Sequence, residues 1–183
     1  KGIFKFSSGK VLNGNFSDGL PHGLIQLTTL SGDQYKSIFE YGAPGKNVDV
    51  SYSNGDTYSG EWREGKPHGL GTFKYVNGND YVGNWLKGTQ NGLGRFTLQN
   101  GNQYIGEFRD NKPHGNGRFL FSSGSSYVGN FKQGRYSGIG IFTSRDGTQY
   151  QGNYLNGKRS GMGTYFFANG EKYEGNFVDN RFH

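Results

Sequence analysis

The sequence predicts an all-β fold in which antiparallel hairpins of 23 residues are stacked one after another. The main observation is a 23-residue register that recurs along the 183 residues of the chain. Glycine occupies only positions 3, 8, 12, 14 and 21 of this register in all but one of its 34 occurrences, when each repeat is numbered from a tyrosine such as Tyr58. Aromatic and polar residues also alternate with the period of two that marks a strand with one dedicated face.

The repeats are predicted to form one continuous array over residues 1–183. Repeat 35–57 is degenerate, because Ser37, Lys46 and Val48 stand where the repeat pattern has glycine, and repeat 12–34 has Leu12 for tyrosine and Ile25 for glycine. Since Val48 and Ile25 would crowd an aromatic ring that elsewhere lies on glycine, we expect a bend or an altered twist there. The array consists of a partial repeat at 1–11, full repeats at 12–34, 35–57, 58–80, 81–103, 104–126, 127–149 and 150–172, and a truncated repeat at 173–183.

Positions 1 to 5 predict the first strand of each hairpin, with a tyrosine and a second aromatic residue on one face. Positions 6 to 11 are predicted to be a loop. Glycine at position 8 gives way only to Asn111 and Asn180, and asparagine is the commonest other residue to tolerate a left-handed backbone. The four prolines of the chain, all at position 10, are assigned to the same loop.

Positions 12 to 18 predict the second strand, and Ser, Asn or Asp followed by glycine at positions 20 and 21 predicts a hairpin turn with a bulge. The expected register sets positions 5, 3 and 1 opposite 12, 14 and 16, and position 18 opposite position 1 of the next repeat. Each position-5 ring would then lie beside the position-12 glycine of its own hairpin and the position-14 glycine of the preceding repeat, as Trp85 between Gly92 and Gly71. About sixteen strands would form an elongated, twisted, single-layer sheet, a solenoid-like rod.

The composition restricts the chemistry. Because the chain has no cysteine, neither a disulfide nor a thiolate metal site can form. We find no signal peptide and no apolar run long enough to span a membrane, so we expect a cytoplasmic protein without a transmembrane segment. No catalytic, cofactor-binding or metal site is predicted. The four histidines all occupy position 11 of separate repeats, too far apart in such a sheet to share a metal ion.

The skeleton Tyr-x-Gly-x-Trp/Phe-x-x-Gly-x-x-His-Gly-x-Gly-x-Phe at a spacing of 23 residues resembles the MORN repeat, and residues 58–80 are close to that pattern. The resemblance covers almost the whole chain. It implies an extended antiparallel sheet and a non-enzymatic scaffold or tether of cytoskeletal or ciliary structures, acting through protein–protein contacts and homodimerisation. Two alternatives are an adaptor that binds a partner helix or peptide along an aromatic groove, and the targeting segment of a larger enzyme with anionic phospholipid binding.

Three surfaces are candidate sites. The partner groove would be lined by the ring row Trp62, Trp85, Phe108, Phe131 and Tyr154. A basic edge at the hairpin tips would meet an anionic partner such as a phosphoinositide headgroup, and consists of Arg63, Lys66, Arg109, Lys112, Lys132, Arg135, Lys158 and Arg181. A dimer end would use Phe177, Phe182 and His183. Nucleic acid is not an expected partner, because the aromatic residues do not interleave with the basic ones.

Overall fold

The computed structural model describes all residues from 1 to 183, and they form strands joined by turns without any helix. The chain divides into two compact units, an N-terminal unit of residues 1–88 and a C-terminal unit of residues 89–183. The all-β fold of stacked antiparallel hairpins is confirmed. The strands of the N-terminal unit are β1 Gly2–Lys5, β2 Val11–Ser17, β3 Leu20–Thr28, β4 Gln34–Glu40, β5 Ala43–Pro44, β6 Asn47–Ser51, β7 Thr57–Arg63, β8 Lys66–Lys74 and β9 Asp80–Leu86.

The C-terminal unit is built in the same way, and each of its strands pairs antiparallel with the next strand along the chain. Long strands of nine residues alternate with strands of seven, as the two arms of each repeat require. The strands are β10 Thr89–Thr97, β11 Gln103–Arg109, β12 Lys112–Leu120, β13 Ser126–Lys132, β14 Arg135–Thr143, β15 Gln149–Leu155, β16 Lys158–Phe166, β17 Lys172–Val178 and β18 Arg181–Phe182.

The first turn of each repeat is shorter than the sequence suggested. Only positions 7 and 8 leave the ladder, since Arg63 pairs with Lys66 across Glu64 and Gly65. Both turn residues have positive φ, 51° at Glu64 and 76° at Gly65, as in a two-residue type I′ turn. The predicted loop over positions 6 to 11 was therefore wrong, and the prolines at position 10 lie inside the second strand. The predicted left-handed backbone at position 8 is confirmed.

The register of each hairpin contains a bulge that the alternation of residue types did not reveal. Gly106 pairs with Gly117 and Tyr104 with Phe119, as expected for positions 3 with 14 and 1 with 16. Phe108 at position 5, however, pairs with Pro113 at position 10, because the second strand carries two extra residues between these pairs. The expected pairing of position 5 with position 12 of the same hairpin was therefore wrong.

The register between neighbouring repeats is shifted by two residues from the expected one. Phe73 at position 16, rather than Tyr75 at position 18, pairs with Tyr81 at position 1 of the next repeat. The turn between them is closed by bonds from Tyr75 N to Asn79 O at 2.9 Å and from Gly78 N to Tyr75 O at 2.9 Å. The predicted hairpin with a bulge is thus present, with position 18 inside the turn.

The core is a layer of aromatic rings laid on bare backbone. Tyr104 is 2 % exposed, and a Cβ atom added at Gly117 would lie 2.7 Å from its ring carbon Cζ. The ring nearest to the position-14 glycine is therefore the tyrosine of the same repeat. The expected neighbour, the position-5 ring of the next repeat, also reaches this glycine at Trp85, whose Nε1–H donates to Gly71 O at 3.2 Å. The Tyr104 hydroxyl donates to the carbonyl of Glu107 at 2.8 Å, beside the bulge, where the ladder is interrupted. This bond explains why position 1 is tyrosine rather than phenylalanine.

Candidate functional site

A cleft of the C-terminal unit lies on the aromatic side of β14, β15 and β16. It has a volume of about 320 Å³. Tyr150 and Tyr154 come from β15, and the aromatic rings of Tyr136, Phe142 and Tyr165 come from the two strands beside it. We call this site the tyrosine cleft and define it by the lining residues Tyr136, Phe142, Ser144, Thr148, Gln149, Tyr150, Tyr154, Gly157, Arg159, Tyr165 and Asn180.

The cleft exists because one repeat lacks an aromatic side chain that its neighbours have. At position 18, Phe121 and Phe167 pack against the position-16 rings of their own repeats, with ring centroids 4.7 Å and 4.9 Å apart. Ser144 occupies that position in repeat 127–149. A serine leaves the space beside Phe142 unfilled, and the space becomes part of the cleft.

Position 10 supplies the two side chains that distinguish this cleft from the regular repeats. Proline occupies the position in four repeats, but Tyr136 and Arg159 occupy it here. The ring of Tyr136 stacks on Tyr127 at 3.7 Å between centroids and meets Tyr154 edge-on at 5.6 Å. Burial raises the pKa of Tyr136 to about 12 and also raises the pKa of Tyr154, so both hydroxyls are protonated donors at neutral pH.

Arg159 lies at the centre of three rings. Its Cζ atom is 5.5 Å from the ring centroid of Tyr150, 5.2 Å from that of Tyr165 and 5.6 Å from that of Phe177, distances typical of cation–π contacts. One guanidinium nitrogen, Nη2, donates to the carbonyl of Asn180 at 2.9 Å. The four ion pairs of the structure all join other residues, so no carboxylate neutralises Arg159.

In two repeats without proline at position 10, an asparagine side chain accepts the hydrogen bond of the backbone N–H at that position. Proline has no backbone N–H, whereas the N–H of Arg159 needs an acceptor and donates to Oδ1 of Asn180 at 2.8 Å. The N–H of Gln90 donates to Oδ1 of Asn111 in the same way, also at 2.8 Å. Asn111 and Asn180 therefore do more than tolerate a left-handed backbone. Sequence analysis missed this relation, although the paired departures at positions 10 and 8 are visible in the sequence.

A second, more open pocket of about 460 Å³ continues the surface beyond Arg159. It shares Arg159, Tyr165 and Asn180 with the tyrosine cleft and adds Phe167, Arg181 and Phe182. No aspartate or glutamate lines either pocket. The two together form an elongated surface of aromatic rings and hydroxyls with Arg159 near its middle.

The residues of the predicted partner groove lie mainly in the core. Trp85, Phe108, Phe131 and Tyr154 are between 4 and 6 % exposed, and Trp62 is partly exposed. Of these, Tyr154 lines the tyrosine cleft. A partner on this face would mainly contact the side chains at positions 10, 16 and 18 and the tyrosine hydroxyls. The departures at Tyr136, Ser144 and Arg159 were the signal in the sequence that could have located the cleft.

The basic residues flank the type I′ turns. In the C-terminal unit, Arg109 pairs directly with Lys112 and Lys132 with Arg135. Lys158 is bonded to Asp179 at 3.0 Å. In the N-terminal unit, Arg63 lies opposite Lys66, and its Nε atom is 3.6 Å from a carboxylate oxygen of Glu64. Arg181 pairs with Val178 and lines the second pocket.

The residues of the predicted dimer end differ in accessibility. Phe177 is 1 % exposed and contacts the rings of Tyr150 and Tyr173. Phe182 is 50 % exposed and lies 4.4 Å from the Tyr173 ring between centroids. The backbone of His183 donates to Asn176 O at 3.0 Å and accepts the Tyr173 hydroxyl at 3.0 Å.

Comparison with protein families gives a match over most of the chain. The model of the MORN repeat matches residues 13–24, 58–80, 81–103, 104–126, 127–149, 150–172 and 173–183, more than half of the chain. The chain belongs to the MORN repeat family. The degenerate repeat 35–57 lies outside the matched segments. No curated protein matches the chain in sequence.

Solved structures with a similar fold include the TCP domain of SAS-4 (dCPAP) of Drosophila melanogaster, in complex with a proline-rich motif of Ana2 (dSTIL). It is 16% identical to this chain over 85% of both chains, with a TM-score of 0.53, which shows a likeness of fold. The wild-type TCP10 domain of CPAP from Danio rerio is 12% identical over 95% of this chain and 93% of its own, with a TM-score of 0.35.

Two further observations concern metal ions and membranes. The structure contains no group of three or more histidine, cysteine, aspartate or glutamate side chains close enough to hold a metal ion. It also contains no helix with the length and apolar character needed to cross a bilayer.

Proposed function

We propose that this protein is a non-enzymatic protein-interaction scaffold and that its tyrosine cleft binds an extended, proline-rich peptide. The observation that carries the proposal is the elongated surface formed by the cleft and the second pocket, which join at Arg159, Tyr165 and Asn180. A compact ligand needs one enclosed pocket. Two open pockets in a row suit a segment of extended chain.

The chemistry of the lining favours proline-rich segments. Such segments adopt the polyproline II conformation before binding, so they lose little entropy when they dock on aromatic grooves. The partly exposed rings of Tyr136 and Tyr165 offer apolar contact, and their hydroxyls have no hydrogen-bond acceptor within the protein and can donate to peptide carbonyls. The Drosophila TCP domain, a protein of similar fold, was solved with a proline-rich motif, which supports this class of ligand.

The test is a selection of peptides with a matched variant. A phage library of random 12-residue peptides is selected on the wild-type protein and, separately, on Ser144→Phe. Because this variant restores the position-18 ring of Phe121 and Phe167, it should fill the cleft while leaving the melting temperature unchanged or raised. The proposal predicts proline-rich sequences on the wild type and none of them on Ser144→Phe.

Two outcomes would contradict the proposal. The same peptides could be enriched on Ser144→Phe, in which case they bind elsewhere. Alternatively, no peptide family could be enriched on the wild type, in which case the cleft is not a peptide site. Measuring the melting temperature of both proteins excludes loss of folding as the cause of either result.

A second candidate function is binding to an anionic membrane through the basic edge. Arg109 faces Lys112, and Lys132 faces Arg135, as like charges directly opposite each other, an arrangement that costs stability unless an anion is bound. None of these four cations is in an ion pair. Vesicles containing phosphatidylserine should bind at low salt and be released as salt rises. Replacing Lys112, Arg135 and Lys158 with Ser should abolish binding, and no binding at low salt would exclude this function.

Homodimerisation stays a prediction, and Phe182 is the residue through which it is best tested. Its ring is half-exposed, whereas Phe177 is buried within its own unit. Sedimentation of the wild type and of Phe182→Asp at micromolar concentration decides between the possibilities. A dimer that dissociates in the variant agrees with the prediction, and a monomer in both cases contradicts it.

The cellular setting also stays a prediction. A scaffold that tethers cytoskeletal or ciliary structures should co-localise with them when a fluorescent tag is attached. Ser144→Phe should lose this localisation if the tyrosine cleft recruits the protein, and should keep it if another surface does. A diffuse distribution of the wild type would contradict a cytoskeletal or ciliary role.

A further inference from the structure

We infer that the peptide bound in the tyrosine cleft carries an acidic residue, and that Arg159 recognises its carboxylate. This inference rests on the proposed function and adds a specificity to it. The occupant is thus a proline-rich segment with an aspartate or glutamate among its prolines.

The first argument is the state of the Arg159 guanidinium. A guanidinium offers five N–H donors, and here one nitrogen donates to Asn180 O while no carboxylate pairs with the group. Arg159 is half-buried, so its charge is partly removed from water. A half-buried cation without a counter-ion gains when a ligand supplies one, because charge-assisted bonds are stronger where water is partly excluded.

The second argument is the position and orientation of the side chain. The rings of Tyr150, Tyr165 and Phe177 surround the guanidinium at 5.2 to 5.6 Å, and the bond to Asn180 fixes one edge of it. The remaining donors belong to a side chain that lines both pockets. A held guanidinium binds a carboxylate with little loss of side-chain entropy, and its planar shape fits the two carboxylate oxygens.

The third argument is the charge of the surroundings. Neither pocket has an acidic lining residue, and Arg181 adds a second cation to the pocket beyond Arg159. An acidic peptide therefore meets no repulsion on this surface. A basic peptide would meet two positive charges without any negative one, so the surface selects against it.

The experiment starts from the peptides selected on the wild-type protein. They should share an aspartate or glutamate at one fixed position between prolines. The affinity of the best peptide and of its Glu→Gln (or Asp→Asn) version is then measured by fluorescence anisotropy with the wild type, with Arg159→Met and with Arg118→Met. Arg118 is the matched control, because it is an exposed arginine of the same unit without an ion pair and lies outside both pockets and the basic edge.

We expect the loss of the carboxylate to weaken binding to the wild type about tenfold or more, as for other hydrogen bonds to charged groups. Arg159→Met should weaken the acidic peptide by a similar factor and should bind both peptides equally. Arg118→Met should behave like the wild type. If Arg159→Met does not fold, the salt dependence of the two peptides on the wild type replaces it, and only the acidic peptide should show the steep component.

Other results overturn the inference, and they separate it from the proposed function. Peptides that depend on an open cleft but share no acidic position leave the proposed function intact and remove the role of Arg159. If the Glu→Gln change in the peptide weakens binding to Arg159→Met as much as binding to the wild type, the proposed function also stands, and Arg159 does not recognise the carboxylate. If no peptide is selected but phosphatidylserine vesicles bind the wild type and not Arg159→Met, the surface is a lipid site and both proposals are wrong.

Discussion

Repeats 58–80 and 35–57 are neighbours in the N-terminal unit, and they differ in what faces the tyrosine at position 1. Tyr58 is 1 % exposed, lies on Gly71, and donates its hydroxyl to Glu61 O at 2.6 Å. Tyr35 has Val48 at the corresponding position and makes no such hydroxyl bond. Its ring meets Trp62 of the next repeat at 5.8 Å and no ring of its own repeat.

The difference extends to the backbone. In repeat 58–80 the second strand, β8, is continuous over Lys66–Lys74. In repeat 35–57 it is split into β5, Ala43–Pro44, and β6, Asn47–Ser51. Ser37 fills part of the gap, because its hydroxyl donates to Asn47 O at 2.8 Å. The departures of this repeat thus coincide with a broken second strand, and the expected bend or altered twist stays a prediction.

The comparison teaches that positions 1 and 14 act as a pair. A tyrosine fits only over glycine, and an aliphatic residue at position 14 takes the space of the ring. Repeat 12–34 has an aliphatic residue at both positions, Leu12 at position 1 and Ile25 at position 14, and Ile25 is 1 % exposed. Repeat 35–57 combines a tyrosine with a valine, and Tyr35 lacks the hydroxyl bond and the ring contact within its own repeat that Tyr58 makes.

The largest effect is expected when the incompatible pair is introduced into a regular repeat. Gly117→Ile places a branched side chain where the Tyr104 ring lies, so it should cost about 3 kcal/mol or more of unfolding free energy. Tyr104→Leu combined with Gly117→Ile copies the pair of repeat 12–34 and should recover a large part of that loss. Urea unfolding of the single and double variants measures the coupling, and purely additive losses would contradict the pairing.

A smaller effect is expected from removing the tyrosine hydroxyl alone. Tyr127 is fully buried, and its hydroxyl donates to Asn130 O at 3.0 Å beside the bulge. Tyr127→Phe should cost about 1–2 kcal/mol, because the carbonyl loses its partner. Tyr35→Phe is the matched control and should change the unfolding free energy by less than about 0.5 kcal/mol. Equal losses in the two variants would show that the hydroxyl bond has no special role.

The smallest effect is expected from a substitution at position 8, the turn residue that faces position 10 of the preceding repeat. Tyr136 is not proline, yet the turn residue facing it is Gly157, whose N–H donates to Tyr136 O at 2.9 Å. Gly157 has open space around it and a φ of 87°. Gly157→Asn copies the relation of Asn180 to Arg159 and should add about 1 kcal/mol. Gly88→Asn, which faces Pro67, should add nothing, since proline has no N–H. A gain at Gly88 would contradict the explanation.

The fold could be predicted because glycine and aromatic residues repeat in a fixed register. The alternation of residue types also gave the pairing of Gly106 with Gly117 and of Tyr104 with Phe119. It did not give the pairing of Phe108, because a bulge leaves the sequence pattern unchanged while it shifts every partner beyond it. Nor did it give the extent of the first turn, where the residue at position 7 has a positive φ in every full repeat although its type varies.

The candidate site could be predicted only in part. The ring row suggested an aromatic surface, but a pattern of residue types does not say which rings the protein buries itself. The cleft depends on three departures from the repeat: Tyr136, Ser144 and Arg159. Each of them departs from the common residue of its position. Their proximity follows from the registers in which β15 pairs with β14 and with β16, and the bulge in the second of these was not visible in the sequence.

The most direct test of the account is the position of the tyrosine rings in solution, measured by NMR. A ring lying on a glycine shifts the α-protons of that glycine strongly upfield and gives nuclear Overhauser effects to them. The account predicts both signals at Gly71, Gly117 and Gly140, from Tyr58, Tyr104 and Tyr127 respectively, and neither signal between Tyr35 and Val48. Ordinary strand shifts at the three glycines, without contacts to the tyrosine rings, would contradict the account.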